Sequence, residues 1–425
     1  MRIDHLTIKN FNGFDHREFD FKPHFNLLVG DNATGKTSVL DALSIALGSW
    51  FLGIPGYANI LGIDAKEVRV VAHPHQDSYT FEKQFPSRIE TCGLVLGRNL
   101  KWTRELSREG GKTSSVDAKT ISTVASEAER RVRSGEEITL PLICTYGTER
   151  LWFEATHRKS KKREGSKGRL PSRLDGYLDC INFTIQESAL LDWIRAETSA
   201  SMYSPPTETI ALSAVKRAIV GCVEGAISLY YDERYKDLVV NFEQFGHQLF
   251  QNLSDGQRIV LTLVGDLVKR ATSLNPHLAD RVLDETPGVV LIDELDLHLH
   301  PRWQRRVIHD LKTTFPSIQF IATTHSPQLI GEAGPEEVIL LGGQQPENPT
   351  QSYGMDSNWI LKYVMGADER DATIKNKLEA IEKLIVNLDL EKARTKVNEL
   401  QAEIGAHPDL VRFSARIDRF AEKSR

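Results

Sequence analysis

The sequence predicts an α/β fold: a mixed sheet with flanking helices, split by a helical insert and followed by a helical C-terminal tail. Three observations carry the prediction. The apolar run Phe25–Val29 passes through a glycine-rich turn into an apolar helical stretch, Ser38–Leu47. Two later runs, Val289–Ile292 and Ile318–Thr323, have the length and composition of strands buried on both faces. Beyond about Tyr353, apolar residues recur at helical spacing to the end of the chain.

Taken in order, residues 1–29 are strand-rich. Ile3, Leu6 and Ile8 supply a first inward-facing row, a second run surrounds Phe19 and Phe21, and Phe25–Val29 follows. Antiparallel hairpins are expected over 66–105, at Val68–Val71, Tyr79–Phe81 and Gly93–Leu96. Ser126, with Glu129 three residues on, has the form of a capping box, which predicts a short charged helix opening there and running to about Arg133. Ile138–Tyr146 is expected to be a strand. Helical periodicity returns around Leu190–Arg195, over Ile210–Leu229 and at Arg258–Ala271. In the tail, Ile374, Leu378, Ile381 and Ile385 mark one amphipathic helix; Ala393, Val397, Leu400 and Ile404 mark a second, and Val411 to Phe420 a third.

With 425 residues, 40% apolar and 26% charged, the chain can bury a sizeable core and lacks the composition of a disordered protein. The net charge of −5 gives no global case for nucleic-acid or membrane binding, so any such contact has to come from a local patch. No apolar run reaches the roughly 18 residues of a membrane span, and Met1-Arg2-Ile3-Asp4 lacks the apolar core of a signal peptide. A cytoplasmic location, with no membrane partner, is expected. Cys92, Cys144, Cys180 and Cys222 show no metal or redox spacing and are expected to be reduced and structural.

Gly30-Asp31-Asn32-Ala33-Thr34-Gly35-Lys36-Thr37 fits G-x-x-x-x-G-K-[ST], with Ser38 next. A triphosphate needs a loop of backbone N–H groups, glycines where side chains would collide, and a helix N-terminus to offset its charge. Gly30, Asn32, Gly35, Lys36, Thr37 and Ser38 are therefore the candidate nucleotide-binding residues. Lys36 would bridge the β- and γ-phosphates of ATP, and the Thr37 hydroxyl would ligate Mg2+. The preceding strand and following helix are what that mechanism requires.

Asp293 and Glu294 end the run Val289–Ile292. Asp293, at the strand tip, suits the Mg2+ shell; Glu294 suits a general base that polarises the attacking water. The next strand ends in Thr323-Thr324-His325-Ser326-Pro327. A histidine at a strand tip is in isolation an ordinary core or capping residue. If this strand lies beside the acid-bearing one in a parallel sheet, His325 stands against the γ-phosphate as a sensor.

Leu253-Ser254-Asp255-Gly256-Gln257 opens the helix at Arg258–Ala271. This L-S-x-G-Q resembles the signature of ABC ATPases, and Leu295-Asp296 resembles their D-loop. The resemblance implies an ABC-type P-loop ATPase core in which Ser254, Gly256, Gln257 and Asp296 serve a nucleotide shared with a second copy. A head-to-tail homodimer around ATP is expected. The physics agrees, since a helix N-terminus with a hydroxyl and a glycine backbone attracts anions.

Leu6-Thr7-Ile8-Lys9-Asn10-Phe11-Asn12-Gly13-Phe14 resembles the opening of RecF and structural-maintenance-of-chromosomes ATPases, as does the gap of roughly 220 residues between loop and signature. A compact insert fills that gap in place of a long coiled coil. Asp296–Gln304, Thr324–Gln328, Tyr146–Trp152 and Tyr353-Gly354 together resemble the small bacterial anti-phage ATPases, nearest to Septu PtuA and its retron-associated relatives. Ala33 departs from that pattern where glycine is common. Tyr146 stands where a glutamine is usual, with Glu149 and Arg150 close behind. His298 and His300 alternate like a metal pair, but in this segment a structural or interfacial role is expected.

The resemblance implies ATP hydrolysis by this chain, and an HNH-type nuclease on a separate partner. No nuclease constellation is found in this sequence. The expected organisation is a first ATPase lobe over 1–150, a helical insert over 151–249, a second lobe over 250–345 and a helical region over 346–425. Residues 157–169 carry eight Lys, Arg or His against one acid. The region 157–173 is either a solvated loop or a contact for DNA phosphates. The tail either caps the core or docks a partner or a higher oligomer. The function expected is an ATPase subunit controlling a partner nuclease in anti-phage defence. The alternative is a DNA-repair or chromosome-maintenance ATPase acting directly on DNA, and a soluble transporter ATPase is a third reading.

Overall fold

A computed structural model describes residues 1–58, 60–148, 170–181, 187–203, 208–342, 351–368 and 370–423. The basic stretch 157–169 and the pair Glu149 and Arg150 lie outside the described residues. The chain forms two compact units, Met1–Asp356 and Ser357–Arg425.

The first unit opens with β1 (Arg2–Phe11), β2 (Phe14–Asp20), β3 (Phe25–Val29) and α1 (Lys36–Leu47). A ribbon, β4 (Val70–Pro74) and β5 (Tyr79–Lys83), precedes the hairpin β6 (Ser87–Val95) and β7 (Arg98–Leu106). Then come α2 (Lys119–Arg133), β8 (Leu142–Tyr146), α3 (Glu187–Tyr203) and α4 (Ile210–Cys222). Three strands follow, β9 (Ala226–Asp232), β10 (Asp237–Phe242) and β11 (Gly246–Leu249). The remainder comprises α5 (Asp255–Leu274), α6 (Val282–Glu285), β12 (Gly288–Ile292), α7 (Pro301–Gln304), α8 (Val307–Thr314), β13 (Ile318–Thr324), α9 (Pro327–Glu332) and β14 (Val338–Leu340).

Two sheets enclose α1. One is parallel, in the order β14-β3-β13-β12-β8, and the other antiparallel, in the order β2-β1-β6-β7. Nine of the twelve residues of α1 are buried, which is why that stretch reads apolar rather than amphipathic. Every residue of β3, β12 and β13 is buried, as strands covered on both faces must be. Gln319 of β13 ties the sheets together: its amide donates to the Ile3 and Lys22 carbonyls and accepts the Ile3 N–H, at 2.7–2.8 Å. A bulge between Ile3 and His5 lets Ile3 and Leu6 both face inward despite their odd spacing.

Three expectations are corrected. Ser126 does not open a helix. α2 begins at Lys119, and the Ser126 hydroxyl donates to the Gly53 carbonyl at 3.0 Å, where Gly53 lies too close to α2 to admit a Cβ. The strand expected from Ile138 starts only at Leu142. Pro141 has no N–H, and the Asn275 side chain takes both backbone bonds of Leu140 in place of a neighbouring strand. The helix expected to reach Leu229 stops at Cys222. Gly225, at φ +74°, turns the chain into an antiparallel sheet of order β11-β10-β9, so this insert is not wholly helical.

The second unit contains α10 (Ser357–Tyr363) and the three helices α11 (Ala372–Val386), α12 (Leu390–Ile404) and α13 (Pro408–Lys423). The last three bury a core of their own, including Leu378, Ile381, Ile385, Val397, Leu400, Phe413 and Ile417. Val411, expected on the buried stripe of the third helix, is exposed, and Leu410 takes its place. Among the described residues no helix is long and apolar enough to cross a membrane.

Candidate functional site

The loop between β3 and α1 folds as its glycines require. Gly35 is left-handed at φ +96°, and a Cβ there would lie 2.4 Å from the Phe14 ring. Ala33 is also left-handed, at φ +66°, a conformation that glycine adopts without penalty. That explains why glycine suits this position, and alanine tolerates it at a cost.

Lys36 Nζ donates to the Gly30 carbonyl at 2.8 Å and the Asp31 carbonyl at 2.9 Å, which spans the loop and holds it open around its N–H groups. Burial lowers the pKa of this ammonium, while Asp293, Asp31, Glu294 and Asp296 act in the opposite direction. The Thr37 hydroxyl donates to Asp293 Oδ2 at 3.2 Å.

β12 and β13 are parallel neighbours, so the acids and the histidine reach the same end of the sheet. Thr323 donates to Asp293 Oδ1 at 2.6 Å and accepts the Glu294 N–H at 2.7 Å. Glu294 is itself left-handed at φ +48°, and strain of this kind collects at functional positions. Asp296 Oδ1 accepts from the Thr324 hydroxyl at 2.6 Å and the His325 N–H at 3.4 Å.

A cavity of about 830 Å3 gathers Asn32 to Ser38, Asp293, Glu294 and His325. It brings together candidate residues from three separate parts of the sequence, although Gly30 is not among those that line it. Hard oxygens of Thr37 and Asp293 converge in it, the donor type that Mg2+ takes. Asp41, one turn beyond Thr37, has its pKa raised to about 7, by burial first and then by Glu67 and Asp293.

The signature is placed elsewhere. Ser254 caps α5, accepting from the Gln257 N–H, while Gln257 Oε1 accepts the Ser254 N–H at 3.0 Å. Gly256 presses against the His298 carbonyl, where a Cβ would sit 2.9 Å away. Neither Ser254, Gly256, Gln257 nor Asp296 lines the cavity. His298 and His300 are exposed; His300 accepts the Arg302 N–H at the start of α7. Among the described residues no group of three or more His, Cys, Asp or Glu could hold a metal ion.

Sequence reasoning missed two parts of the cavity wall: Gly13 in the β1–β2 turn with the start of β2 (Phe14 to Arg17), and Leu341 with Gly342 just after β14. The Phe11–Phe14 hairpin pairing with Gly13 at its tip was the available signal for the first. It also left Tyr146 without a partner. The tyrosine is buried, and its hydroxyl donates to Asp266 Oδ2 on α5 at 2.9 Å.

Fold and site define a P-loop ATPase of the ABC type. The chain belongs to the family described as "AAA domain, putative AbiEii toxin, Type IV TA system", matched over residues 25–331. It is 25% identical over 448 aligned residues to the "Retron Ec83 probable ATPase" of Escherichia coli, covering 87% of this chain and 77% of that protein. To the "Septu protein PtuA" of Bacillus thuringiensis it is 26% identical over 405 residues, covering 92% and 90%. Among solved structures, the SMC head domain from Thermotoga maritima aligns with 80% of this chain and 94% of that one, at 16% identity and a TM-score of 0.43.

Proposed function

We propose that this chain binds and hydrolyses ATP as a head-to-tail homodimer, and that the ATP-driven closure controls a partner nuclease in anti-phage defence. One observation carries the dimer: the cavity holds the loop, the acids and His325, while the capped N-terminus of α5 lies outside it. An anion site built from Ser254 and Gly256 then has its use at the nucleotide of another copy.

In this reading Gly30, Asn32, Gly35, Lys36 and Ser38 hold the phosphates. Thr37 and Asp293 hold Mg2+, which offsets phosphate charge when bound. Glu294 polarises the attacking water and His325 senses the γ-phosphate, while Ser254, Gly256, Gln257 and Asp296 complete the site between copies. The defence role is supported by relatives named for a retron and for Septu. The nuclease, of HNH type, belongs to a separate chain.

Replacing Glu294 by Gln tests the mechanism. ATP binding should persist, turnover should fall by at least about 100-fold, and the ATP-bound dimer should accumulate on a sizing column. Wild-type turnover in Glu294→Gln would refute the base assignment. For the output, this chain should co-purify with a nuclease encoded beside it, and DNA should be degraded only by the pair. ATP-dependent retention of DNA by this chain alone would favour the second reading, a RecF-like repair ATPase, which the Leu6–Phe14 pattern supports.

A further inference from the structure

Tyr146 ends β8 and makes two bonds that point in different directions. Its carbonyl accepts the N–H of Asp293 at 2.8 Å, on the neighbouring strand β12. Its hydroxyl donates to Asp266 Oδ2 at 2.9 Å, on α5. Ser254 caps the same helix twelve residues earlier, about 18 Å along its axis.

The Asp266 end is firmly held. The same carboxylate oxygen accepts from Arg270 Nε at 2.7 Å, and Arg270 Nη1 donates to the carbonyls of Gly176 at 3.1 Å and Leu178 at 2.7 Å. The Asp266 and Arg270 side chains are only 11% and 14% exposed, and Tyr146 only 3%. A charge-assisted bond shielded from water is strong and directional, so it opposes rotation or sliding of α5 against β8.

We propose that Tyr146 is a positioning residue acting in trans. Its hydroxyl fixes α5, and with it Ser254 and Gly256, in register with the strand tip that bears the same chain's Asp293. The signature that one copy offers its neighbour is thereby set by the geometry of its own nucleotide site. This rests on the shared-site reading above.

Mixed dimers separate the two ideas. A Lys36→Ala copy offers a signature without holding nucleotide, and a Ser254→Arg copy holds nucleotide without offering a signature, so together they make one working site. Tyr146→Phe, placed in the Lys36→Ala copy, should lower turnover at that site at least about tenfold while ATP affinity of the other copy stays within about twofold. Placed in the Ser254→Arg copy, it should leave turnover within about twofold. Equal losses from the two placements, or no loss from either, overturn the proposal.

Asp266→Asn keeps an acceptor for the hydroxyl but loses the charge that strengthens the bond. In the Lys36→Ala copy it should therefore also lower turnover, while in the Ser254→Arg copy it should leave turnover within about twofold. An equal loss from Asp266→Asn in both copies would assign the effect to general damage at the Asp266–Arg270 ion pair and overturn the proposal. A mixture with Tyr146 intact that shows no turnover refutes the shared site itself, and the proposal with it.

Discussion

Thr323 joins the two acids of the site through one hydroxyl, which donates to Asp293 Oδ1 and accepts the Glu294 N–H. The bond to Glu294 helps hold that residue in its left-handed backbone conformation, and the bond to Asp293 orients the carboxylate toward Thr37. Valine matches the shape of threonine but offers neither bond. Thr323→Val is expected to cost about 1–3 kcal/mol of stability, because it removes the hydroxyl that bonds both the Asp293 carboxylate and the part-buried Glu294 N–H. Turnover should fall at least about tenfold with a smaller change in ATP affinity, and Thr323→Ser should restore most of it. Calorimetry and steady-state ATPase assays check this; a silent Thr323→Val would count against the role.

Ala33 carries a backbone conformation that costs an L-residue about 1–2 kcal/mol. Ala33→Gly removes the strain but adds freedom to the unfolded chain, worth about 0.5–1 kcal/mol in the other direction. The expected outcome of denaturant titration is a net gain of up to about 1 kcal/mol. A clear loss of stability would mean that the alanine methyl contributes packing that its surroundings do not reveal.

Asp41 introduces a pH dependence with a definite sign. Its folded pKa, about 7, lies above the usual carboxylate value of 3.8, so the folded state binds the proton more tightly than the unfolded one. Stability from this group is fully present below the unfolded pKa and is lost as pH rises from about 4 through about 7. Asp41→Asn removes the ionisable group. The melting temperature of the variant relative to wild type should therefore be higher at pH 8 than at pH 5, and a difference that is flat across this range would contradict the assignment.

The basic stretch makes a prediction from charge alone. If Lys161, Lys162 and Arg163 contact DNA phosphates, replacing all three by Gln should weaken binding. The slope of log affinity against log salt should shrink by about 0.9 for each phosphate that is no longer neutralised. Fluorescence anisotropy across a salt series measures both. Unchanged binding would leave the stretch as a solvated loop.

The placement of the site residues was legible because each motif is local. Gly30–Thr37, Asp293-Glu294 and Leu253–Gln257 each need only a few adjacent residues, and the strands before them are short enough to read from apolar runs. Long-range pairings were not legible. Tyr146 and Asp266 lie 120 positions apart, and nothing in either segment names the other. The insert was misread for a related reason: Ile227, Leu229 and Tyr231 continue the apolar content of α4, and only the turn at Gly225 separates a long helix from a helix followed by a sheet. Ser126 with Glu129 satisfied a local capping pattern inside a helix that tertiary packing had already begun at Lys119.

Gln319 acts as a rivet at one end of β13, while Thr323, Thr324 and His325 occupy the other. A strand clamped at its far end resists slipping, so load applied at its His325 end leaves through its lateral neighbours, β3 and β12. β3 feeds the loop Gly30–Thr37 and β12 the acids. The centre of the parallel sheet is in mechanical terms a stiff anvil, and under the proposed closure the compliance has to reside in the elements mounted around it.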